Sequence, residues 1–450
     1  MLRMLKRLSF CYLCLIIAGL LQAPPCQAKV IPVELVWKFK QAGWVKIEVA
    51  DGEYQLKLNS ITQAFPAGSV LQLGWGGWTP VIRINQEELQ VVGDSILALE
   101  EVNPGSLRLR TPQDKEGVYR GSLQVSWQRG GWQLVNLVDS EDYLKGVVPI
   151  EMSNDWAGGG FEALKAQAVA ARTYLVKHSE DGKKMITDSP DIDQAYGGKS
   201  VEGEASKAVE ATKGKILVDT SSGQPINALY SSHNGGYAED AKNVWGSSDI
   251  HNVSHDDPFS DGIGGAENRW TFMVSAPVLG ATFGIGPVKS IKLEKYSSGR
   301  VKRVWMKDWF GSSLTVTGRS FVKAFYPFGQ PIQKDAFLGS LFNVQVVSTG
   351  KDLSKISALK NCLDYPKLML NADEAHTSPQ GPLLAKILST SLGVSQRTQP
   401  FGIFIFEGRG WGHGVGMSQW GAYHMSQLGY NYIDILGFYY HNSRIAEFNR

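Results

Sequence analysis

The residues best suited to chemistry in this chain form three groups that lie far apart in the sequence. The first is a single carboxylate, Glu151, which lies between Ile150 and Met152 with Trp156 close behind. Apolar neighbours disfavour the ionised form of an acid, which suits a group that must donate a proton. A surface or ion-paired glutamate at the start of a helix is the alternative. The residues alone leave both interpretations open.

The second group is the run from Ser231 to Gly236, where two hydroxyls, an imidazole and an amide precede a Gly-Gly turn. Small polar groups of this kind are suited to binding sugar hydroxyls. A nucleophilic pair of Ser232 and His233 is another possibility. Adjacent residues on a strand point to opposite faces, which argues against that pair.

The third group is a glycine ribbon, residues 408–416, in which every second residue is glycine and the others include Arg409, Trp411 and His413. Glycine at this period makes a poor strand because it has no side chain to pack and is costly to order. Something must therefore approach this backbone closely. The side chains favour the floor of a pocket for a polar ligand, and a Gly-rich connecting loop is the alternative.

The chain begins with a segment typical of export signals. Three basic residues precede an apolar run from Leu8 to Leu21, and small residues follow up to Ala28. We expect cleavage after Ala28 and export to the periplasm or cell wall. A retained anchor is the alternative, but the run is shorter than the roughly 20 residues that a spanning helix needs. No stable membrane span is therefore expected after cleavage.

Composition excludes several classes of protein. Without the three signal cations, 42 basic residues face 43 acidic ones, and this balance gives no electrostatic case for binding nucleic acid. Only Cys362 of the four cysteines follows the signal, so neither an internal disulfide nor a multi-cysteine zinc site is possible. The thirteen tryptophans are compatible with stacking on sugar rings and equally with a large core.

These groups must be positioned by strands and helices. The sequence pattern predicts an α+β fold, with a strand-dominated core and a few helices bordering a cleft. Short alternating runs separated by turn residues predict an all-β N-terminal module of unknown role over residues 29–112. A domain over 113–450 follows, with an insertion near 350–398. The predicted elements of this domain are a hairpin of 119–127 and 131–138, a helix over 161–177, strands at 214–218, 226–230, 288–293 and 401–406, and helices over 418–428 and 432–440, the last capped by Asn431.

Several blocks resemble the SpoIID/LytB family, whose members include stage II sporulation protein D and amidase enhancers. The blocks are Val147–Met152, Leu164–Tyr174, Asp193–Gly198, Ser231–Gly236 and Gly410–Ala422, and they occur in matching order within about 119–444. The resemblance implies a lytic transglycosylase whose single glutamate corresponds to Glu151. One acid is enough for that reaction, since the C6 hydroxyl of the muramic acid is the nucleophile and a 1,6-anhydro end results.

The resemblance also implies residues that contact the glycan. These substrate-binding candidates are Arg172, Gln194, Tyr196, Ser231, Ser232, His233, Gly235, Gly236, Trp411, His413 and Gln419. Arg172 could either contact substrate or pair with an acid, and a structural salt bridge is the preferred interpretation. Hydrogen-bonded loop histidines are the alternative for His233 and His413.

One departure from the family concerns metal. Some members carry a zinc site built from Cys and His just before the Gln-Xaa-Tyr-Gly motif, and the corresponding residues 187–193 contain no thiol. Their three aspartates could bind a hard cation, but a solvated acidic turn is the preferred interpretation. We predict no metal and no cofactor.

The predicted partners are peptidoglycan glycan strands, with a cell-wall amidase as a further partner. A non-enzymatic protein that binds wall polymer and enhances an amidase is the alternative function. A third possibility is a wall-anchored scaffold that uses the N-terminal β module.

Overall fold

The computed structural model describes residues 29–40, 42–76, 79–84, 87–90, 96–128, 130–325, 337–347 and 402–448. The predicted signal segment 1–28 and the predicted insertion near 350–398 lie outside the described residues. The described residues up to Asn227, together with those from Ser443 onward, form one compact unit, and Ala228–Asn442 form a second.

The described part of the first unit is built on a mixed sheet of eleven strands, in the order β11-β1-β10-β9-β7-β2-β4-β5-β6, with β3 paired to β2 and β8 paired to β7. Only the β1–β11 pair among these is parallel. A separate ladder joins β12 and β23. The strands are β1 Val30–Glu34, β2 Val45–Leu58, β3 Ile61–Pro66, β4 Val70–Gly76, β5 Thr79–Ile84, β6 Glu87–Gln90, β7 Ile96–Arg110, β8 Glu116–Tyr119, β9 Ser122–Gln128, β10 Gly131–Asp139, β11 Ile186–Thr187, β12 Lys215–Asp219 and β23 Ser443–Glu447.

Side-chain alternation explains the long central strand β2. Val45, Ile47 and Val49 are buried in its first half, while Tyr54 and Leu56 are buried in its second half. The register with β7 shifts between these halves, where a β-bulge changes which positions face the core. The sheet includes strands from both sides of the predicted boundary at residue 112, and the division of the chain there stays a prediction.

The described first unit has three α-helices: α1 Ser140–Glu151, α2 Ala157–His178 and α3 Ser206–Ala211. Helix α1 packs on β1 and β10 of the large sheet, α2 packs on β12, and α3 packs on α1 and α2. Short 3₁₀ helices span Asn154–Trp156 and Lys199–Val201. The predicted helix over 161–177 is confirmed within α2, which is kinked at Gly160. Helix α1 was not predicted, and it places Glu151 at the end of a helix rather than at a helix start.

The second unit contains two three-stranded antiparallel sheets, with strand orders β16-β21-β20 and β17-β18-β19. Its strands are β13 Tyr230–Ser231, β14 Tyr237–Ala238, β15 His255–Asp256, β16 Arg269–Ser275, β17 Val288–Lys295, β18 Val301–Asp308, β19 Ser313–Thr317, β20 Leu341–Val347, β21 Ile403–Arg409 and β22 Met417–Ser418. Its helices are α4 Ala241–Trp245, α5 Gly265–Asn268, α6 Ala276–Thr282, α7 Gly318–Phe325, α8 Gln419–Gln427 and α9 Tyr432–Tyr439. An aromatic cluster that includes Trp270, Phe321 and Phe406 fills its core.

Most of the predicted elements are confirmed. The hairpin appears as β9 and β10, the strands at 214–218 and 288–293 as β12 and β17, and the two last helices as α8 and α9. Asn431 caps α9 with a reciprocal capping box. The strand predicted at 226–230 is wrong, since only the last residue of this range lies in a strand, Tyr230–Ser231. The α+β, strand-dominated fold class is confirmed.

Among the described residues, the helices are all too short or too polar to cross a membrane.

Candidate functional site

The predicted site residues fall into two groups, one in each unit, and each group is described within its own unit. Glu151, Arg172, Gln194 and Tyr196 belong to the first unit, and the remaining candidates belong to the second. The prediction that they line one cleft stays a prediction.

Glu151 is the last residue of α1, and its side chain is half-buried. Its Oε1 accepts a hydrogen bond of 3.2 Å from the backbone N–H of Ala195. Ala195 lies within the Gln194-Ala195-Tyr196-Gly197 segment, so the structure brings together two of the sequence blocks. The contact restrains the carboxyl group, and the residue stays partly exposed.

Two tyrosines lie within electrostatic range of this carboxyl group. Burial raises the pKa of Tyr174, and the charges of Asp193 and Glu151 raise it further. Burial raises the pKa of Tyr143 as well, with the same two acids contributing. Both phenols therefore remain protonated near neutral pH, and the half-buried Tyr174 stacks on the His178 ring at 3.8 Å.

Arg172 is buried, with 2% of its surface exposed. Its guanidinium binds both carboxylate oxygens of Glu141 and also donates to the carbonyls of Val209 and Lys215 at 3.1 Å. These contacts connect α1, α2 and α3 with β12. The geometry is that of the structural salt bridge preferred for this residue from the sequence.

The other two candidates of the first unit are also buried. The Tyr196 hydroxyl donates to Oδ1 of Asn136 at 3.0 Å, and its ring lies 4.7 Å from that of Tyr143. Gln194 donates from Nε2 to the carbonyl of Ala171. Both side chains hold the segment that carries Ala195, so they position the partner of Glu151.

His233 is fully buried, and backbone groups occupy both of its ring nitrogens. Nδ1 accepts from the Gly235 N–H at 2.9 Å, and Nε2 lies 2.9 Å from the Ile263 carbonyl, which requires the proton on Nε2. Burial lowers the pKa of His233, so the ring is neutral. This geometry matches the alternative of a hydrogen-bonded loop histidine.

Of the neighbouring hydroxyls, Ser231 is the more buried, and Ser232 is half-buried. Ser231 Oγ has no hydrogen-bond partner among the described residues. A buried hydroxyl in this condition is a group that a water or a ligand can satisfy. Gly235 and Gly236 have φ angles of +76° and +94°, which only glycine adopts easily, and they turn the chain after Asn234.

The glycine ribbon packs against other segments of its own unit. A Cβ on Gly408 would lie 2.0 Å from the Trp270 indole, and a Cβ on Gly414 would lie 2.0 Å from Nη2 of Arg300. A Cβ on Gly416 would lie 1.9 Å from the Leu229 carbonyl oxygen. The close approach predicted from the sequence is therefore made by the protein itself at these three positions.

The ribbon side chains have defined surroundings. Trp411 exchanges two backbone hydrogen bonds with His233, and its ring packs against the aromatic core of the second unit. His413 Nδ1 accepts from the Val415 N–H at 3.0 Å, and the ring contacts Trp245 edge to face at 4.9 Å. Burial and the nearby cations of Arg300 and Arg319 lower the pKa of His413 to about 4.

Arg300 lies beneath the ribbon and is itself buried. It donates to the carbonyls of Asn234 and Tyr237, and its Nε lies 3.8 Å from a carboxylate oxygen of the buried Glu239. The Glu239 N–H donates to the Gly414 carbonyl at 2.8 Å. This ion pair fixes the ribbon to the turn at Ser231–Gly236. Gln419, the remaining candidate, is buried at the start of α8.

Comparison with known proteins agrees with this arrangement of motifs. Residues 128–218, which include Glu151 and the Gln194–Gly197 segment, match the family model of SpoIID, the stage II sporulation protein. Over these residues the chain is similar to the SpoIID/LytB family. The resemblance stated from the sequence motifs is thereby confirmed.

Three relatives in curated collections extend the family match beyond those residues. The amidase enhancer of Bacillus subtilis (strain 168) is 32% identical over 322 residues, covering 68% of this chain and 40% of that protein. Stage II sporulation protein D of the same strain is 28% identical over 335 residues, which cover 70% of this chain and 76% of that protein. An uncharacterised protein of Brachyspira hyodysenteriae is 29% identical over 336 residues, which cover 74% of this chain and 73% of that protein. The chain thus spans less than half of the amidase enhancer.

A buried polar network in the second unit was not predicted from the sequence. Asp257 is fully buried, and its Oδ2 accepts from Asn234 Nδ2 at 2.6 Å, Ser260 Oγ at 2.6 Å and the Tyr439 hydroxyl at 2.8 Å. The Ser418 hydroxyl lies 2.8 Å from Ser260 Oγ and donates to it, because the single hydroxyl proton of Ser260 goes to Asp257. The sequence around this acid is the dipeptide Asp256-Asp257, which is typical of a solvated turn and therefore does not indicate burial.

The acidic segment 187–193 differs in one respect from its predicted solvated turn. Asp188 is buried, and its Oδ1 accepts from the backbone N–H groups of Val36 and Trp37 at 2.7 and 2.8 Å. Burial raises the pKa of Asp188 to about 6. Within the part of the chain that the structure describes, no three His, Cys, Asp or Glu side chains cluster as metal ligands.

Proposed function

We propose that this protein is a lytic transglycosylase of peptidoglycan, with Glu151 as the sole general acid and base. The observation that carries the proposal is the orientation of one half-buried carboxyl by the Ala195 N–H. A catalytic acid must be accessible to substrate and held by its surroundings, and Glu151 meets both conditions. Its place in one family motif and its hydrogen bond to a second motif add support.

In this mechanism, protonated Glu151 donates to the oxygen that joins N-acetylmuramic acid to N-acetylglucosamine while the bond to the muramic C1 breaks. The muramic C6 hydroxyl attacks C1, and the Glu151 carboxylate takes the proton of that hydroxyl. A 1,6-anhydro end forms, and the acid is regenerated. Acid-base action supplies about 10²–10⁴-fold of the rate, so charge stabilisation and ring distortion supply the remainder.

The nearby acid Asp193 does not serve as a second catalytic carboxyl in this proposal. Its Oδ2 accepts from the Thr187 N–H at 2.9 Å and from the Thr187 hydroxyl at 3.0 Å, which commits it to the turn. Glycosidases that release reducing ends generally need two carboxyls, one of them to activate water or form a covalent intermediate. A single available acid therefore favours intramolecular attack by the sugar.

The experiment that tests the proposal uses purified protein and peptidoglycan glycan strands, both with intact stem peptides and stripped of them. Mass spectrometry of the products should find 1,6-anhydromuramyl ends. Glu151→Gln should reduce their formation by about 10²-fold or more while binding to strands persists. Glu210→Gln is the matched control, since that glutamate is on α3 and its side chain is 66% exposed. Reducing ends in place of anhydro ends would falsify the transglycosylase mechanism.

A second candidate is favoured by one comparison: the relative with 32% identity is named an amidase enhancer. In that case this protein binds wall polymer and raises the activity of a separate amidase, without cleaving glycan. The same preparation would then yield no anhydro ends, and Glu151→Gln would enhance an added amidase as well as the unaltered protein does.

Both candidate functions place the protein at the cell wall and therefore require export. The basic and apolar residues before Ala28 support an exported protein. Sequencing the amino terminus of protein recovered from the cell envelope tests this, with Lys29 expected as the first residue.

A further inference from the structure

The second unit contains a groove of about 480 Å³ on the outer face of the sheet β16-β21-β20. Alternation places Trp270, Phe342 and Phe406 on the core side of this sheet, so their neighbours along each strand point outward. The outward residues include Arg269, Arg409 and Leu341, which lie side by side in one row across the three strands. Cavities of this size accommodate small ligands.

The charges in this groove are arranged at a cost to the folded protein. Arg269 and Arg409 are directly opposite each other on antiparallel strands, and like charges in this position are destabilising. Lys295 from β17 adds a third cation, while Glu407 is the one acid among the residues that line the described groove. A surplus of positive charge is therefore concentrated on one patch.

Two of these cations have no compensating acid among the described residues. The Arg409 guanidinium, which is half-buried, forms no hydrogen bond or ion pair with any residue that the structure describes. Lys295 donates to Oδ1 of Asn343 at 2.6 Å, a neutral acceptor. Partial desolvation of its ammonium group lowers the pKa of Lys295, although the residue is exposed. Arg269 has a weak partner, Asp261, at 3.9 Å.

Arg409 is also fixed in place by the Ser231–Gly236 turn. A Cβ on Gly235 would lie 2.8 Å from a Leu341 methyl and 3.2 Å from the Arg409 Cβ. The absence of a side chain at Gly235 thus lets the turn pack directly on the base of Arg409. A guanidinium positioned by its backbone and left without an acid is prepared to bind a planar anion.

We propose that Arg409 and Lys295 bind a carboxylate carried by the peptidoglycan strand. The ligand identity rests on the proposed function, and the groove itself indicates a carboxylate next to neutral polar groups. Thr271 and Asn343 lie in the next outward-facing row of the sheet, two residues along each strand, and flank Glu407, whose Oε2 accepts from Gln345 at 3.0 Å. Hydroxyl, amide and carboxylate groups beside an arginine suit a sugar that carries an acidic substituent.

Two carboxylates of peptidoglycan fit this chemistry: the lactyl group of muramic acid and the free carboxylates of stem peptides. N-acetylmuramic acid and N-acetylglucosamine form a matched pair of probes, since they differ by the lactyl ether alone. Binding of each to the full-length protein is measured by ligand-observed NMR, together with binding of stripped strands and of free stem peptide. The arm that shows binding identifies the source of the carboxylate.

We expect N-acetylmuramic acid or free stem peptide to bind, and N-acetylglucosamine to bind at least about tenfold more weakly, which corresponds to one charge-assisted contact. Arg409→Gln and Lys295→Gln should each weaken binding of the carboxylate probe by about tenfold and reduce its salt dependence. Arg303→Gln is the matched control, because that arginine is exposed on β18 and pairs with Glu294. Lys295 is exposed, so its variant retains the test if Arg409→Gln fails to fold.

Equal binding of the two sugars together with no binding of stem peptide overturns the inference, as does unchanged binding in both groove variants. These outcomes are independent of catalysis. If the unaltered protein forms no anhydro ends but binds the carboxylate probe through Arg409, the proposed reaction fails and the groove stands. If Glu151→Gln abolishes cleavage while groove variants bind normally, the reaction stands and the groove assignment fails.

Discussion

The guanidinium of Arg172 donates to both carboxylate oxygens of Glu141, at 2.7 Å each, and joins α2 to α1. The arginine side chain is 3% exposed and the glutamate side chain 17%. Because α1 ends at Glu151, this pair fixes the helix that carries the proposed catalytic acid. The Arg172–Glu141 ion pair therefore helps to position Glu151.

Arg172→Met should lower the free energy of unfolding by about 3–5 kcal/mol, since it leaves a largely buried carboxylate without its partner. Equilibrium urea unfolding followed by circular dichroism measures the change. Lys207→Met is the control, because its pair with Glu204 is exposed and should contribute less than about 1 kcal/mol. Unchanged stability with weakened glycan binding would instead support the role of Arg172 as a substrate contact.

Gly416→Ala should strongly destabilise the second unit. The new methyl group would meet the Leu229 carbonyl oxygen at 1.9 Å, and the φ angle of +71° adds left-handed strain. Gly429 has a φ angle of +90° and no atom within 4 Å of its would-be Cβ, so Gly429→Ala measures the strain alone, about 1–2 kcal/mol. The loss in urea midpoint should be clearly larger for Gly416→Ala. Equal losses would mean that the ribbon moves away from Leu229 without cost.

The glycine ribbon shows which features of this site could be predicted from the sequence and which could not. Glycine at every second position correctly indicated a close approach to this backbone. The approaching groups are Trp270, Arg300 and Leu229, which come from segments more than one hundred residues away. No local pattern encodes those contacts. A pocket floor and a packed junction therefore produce the same sequence signal.

Helix α1 was missed because Gly146 and Pro149 lie within it, and both residues disfavour a helix interior. The Asp139 side chain caps its first turn by accepting from Glu141 and Asp142, and this local signal was available. Gly146 is explained only by tertiary packing, since a Cβ there would lie 2.6 Å from the Tyr196 ring. The role of Asp257 as a buried acceptor could not be predicted from the sequence either, because its donors are dispersed along the chain.

His413 should make stability depend on pH. Its pKa of about 4 lies below the ordinary value of 6.5, so the unfolded chain takes up this proton first as the pH falls. The contribution of the neutral ring is present above about pH 6.5 and is lost as the pH approaches 4. An NMR titration of the imidazole should give a midpoint near 4.

The variant His413→Asn isolates this effect from other histidines, because an amide oxygen can replace Nδ1 as acceptor from Val415. The decrease in urea midpoint from pH 7 to pH 5 should be smaller in the variant than in the unaltered protein. A decrease of the same size in both proteins would show that the lowered pKa of His413 is not a source of the pH dependence.

Tyr439 and Tyr440 form a matched pair that tests the buried network around Asp257. Both rings are fully buried, and their hydroxyls donate to different acceptors: Tyr439 to the Asp257 carboxylate at 2.8 Å and Tyr440 to the Leu229 carbonyl at 2.7 Å. A hydrogen bond to a charged acceptor contributes about 1.5–3 kcal/mol, and one to a neutral acceptor about 0.5–1.5 kcal/mol. Tyr439→Phe should therefore lower the free energy of unfolding more than Tyr440→Phe does. Asp257→Asn should remove most of the difference between the two variants, and a difference that persists in that background would place its origin outside the carboxylate.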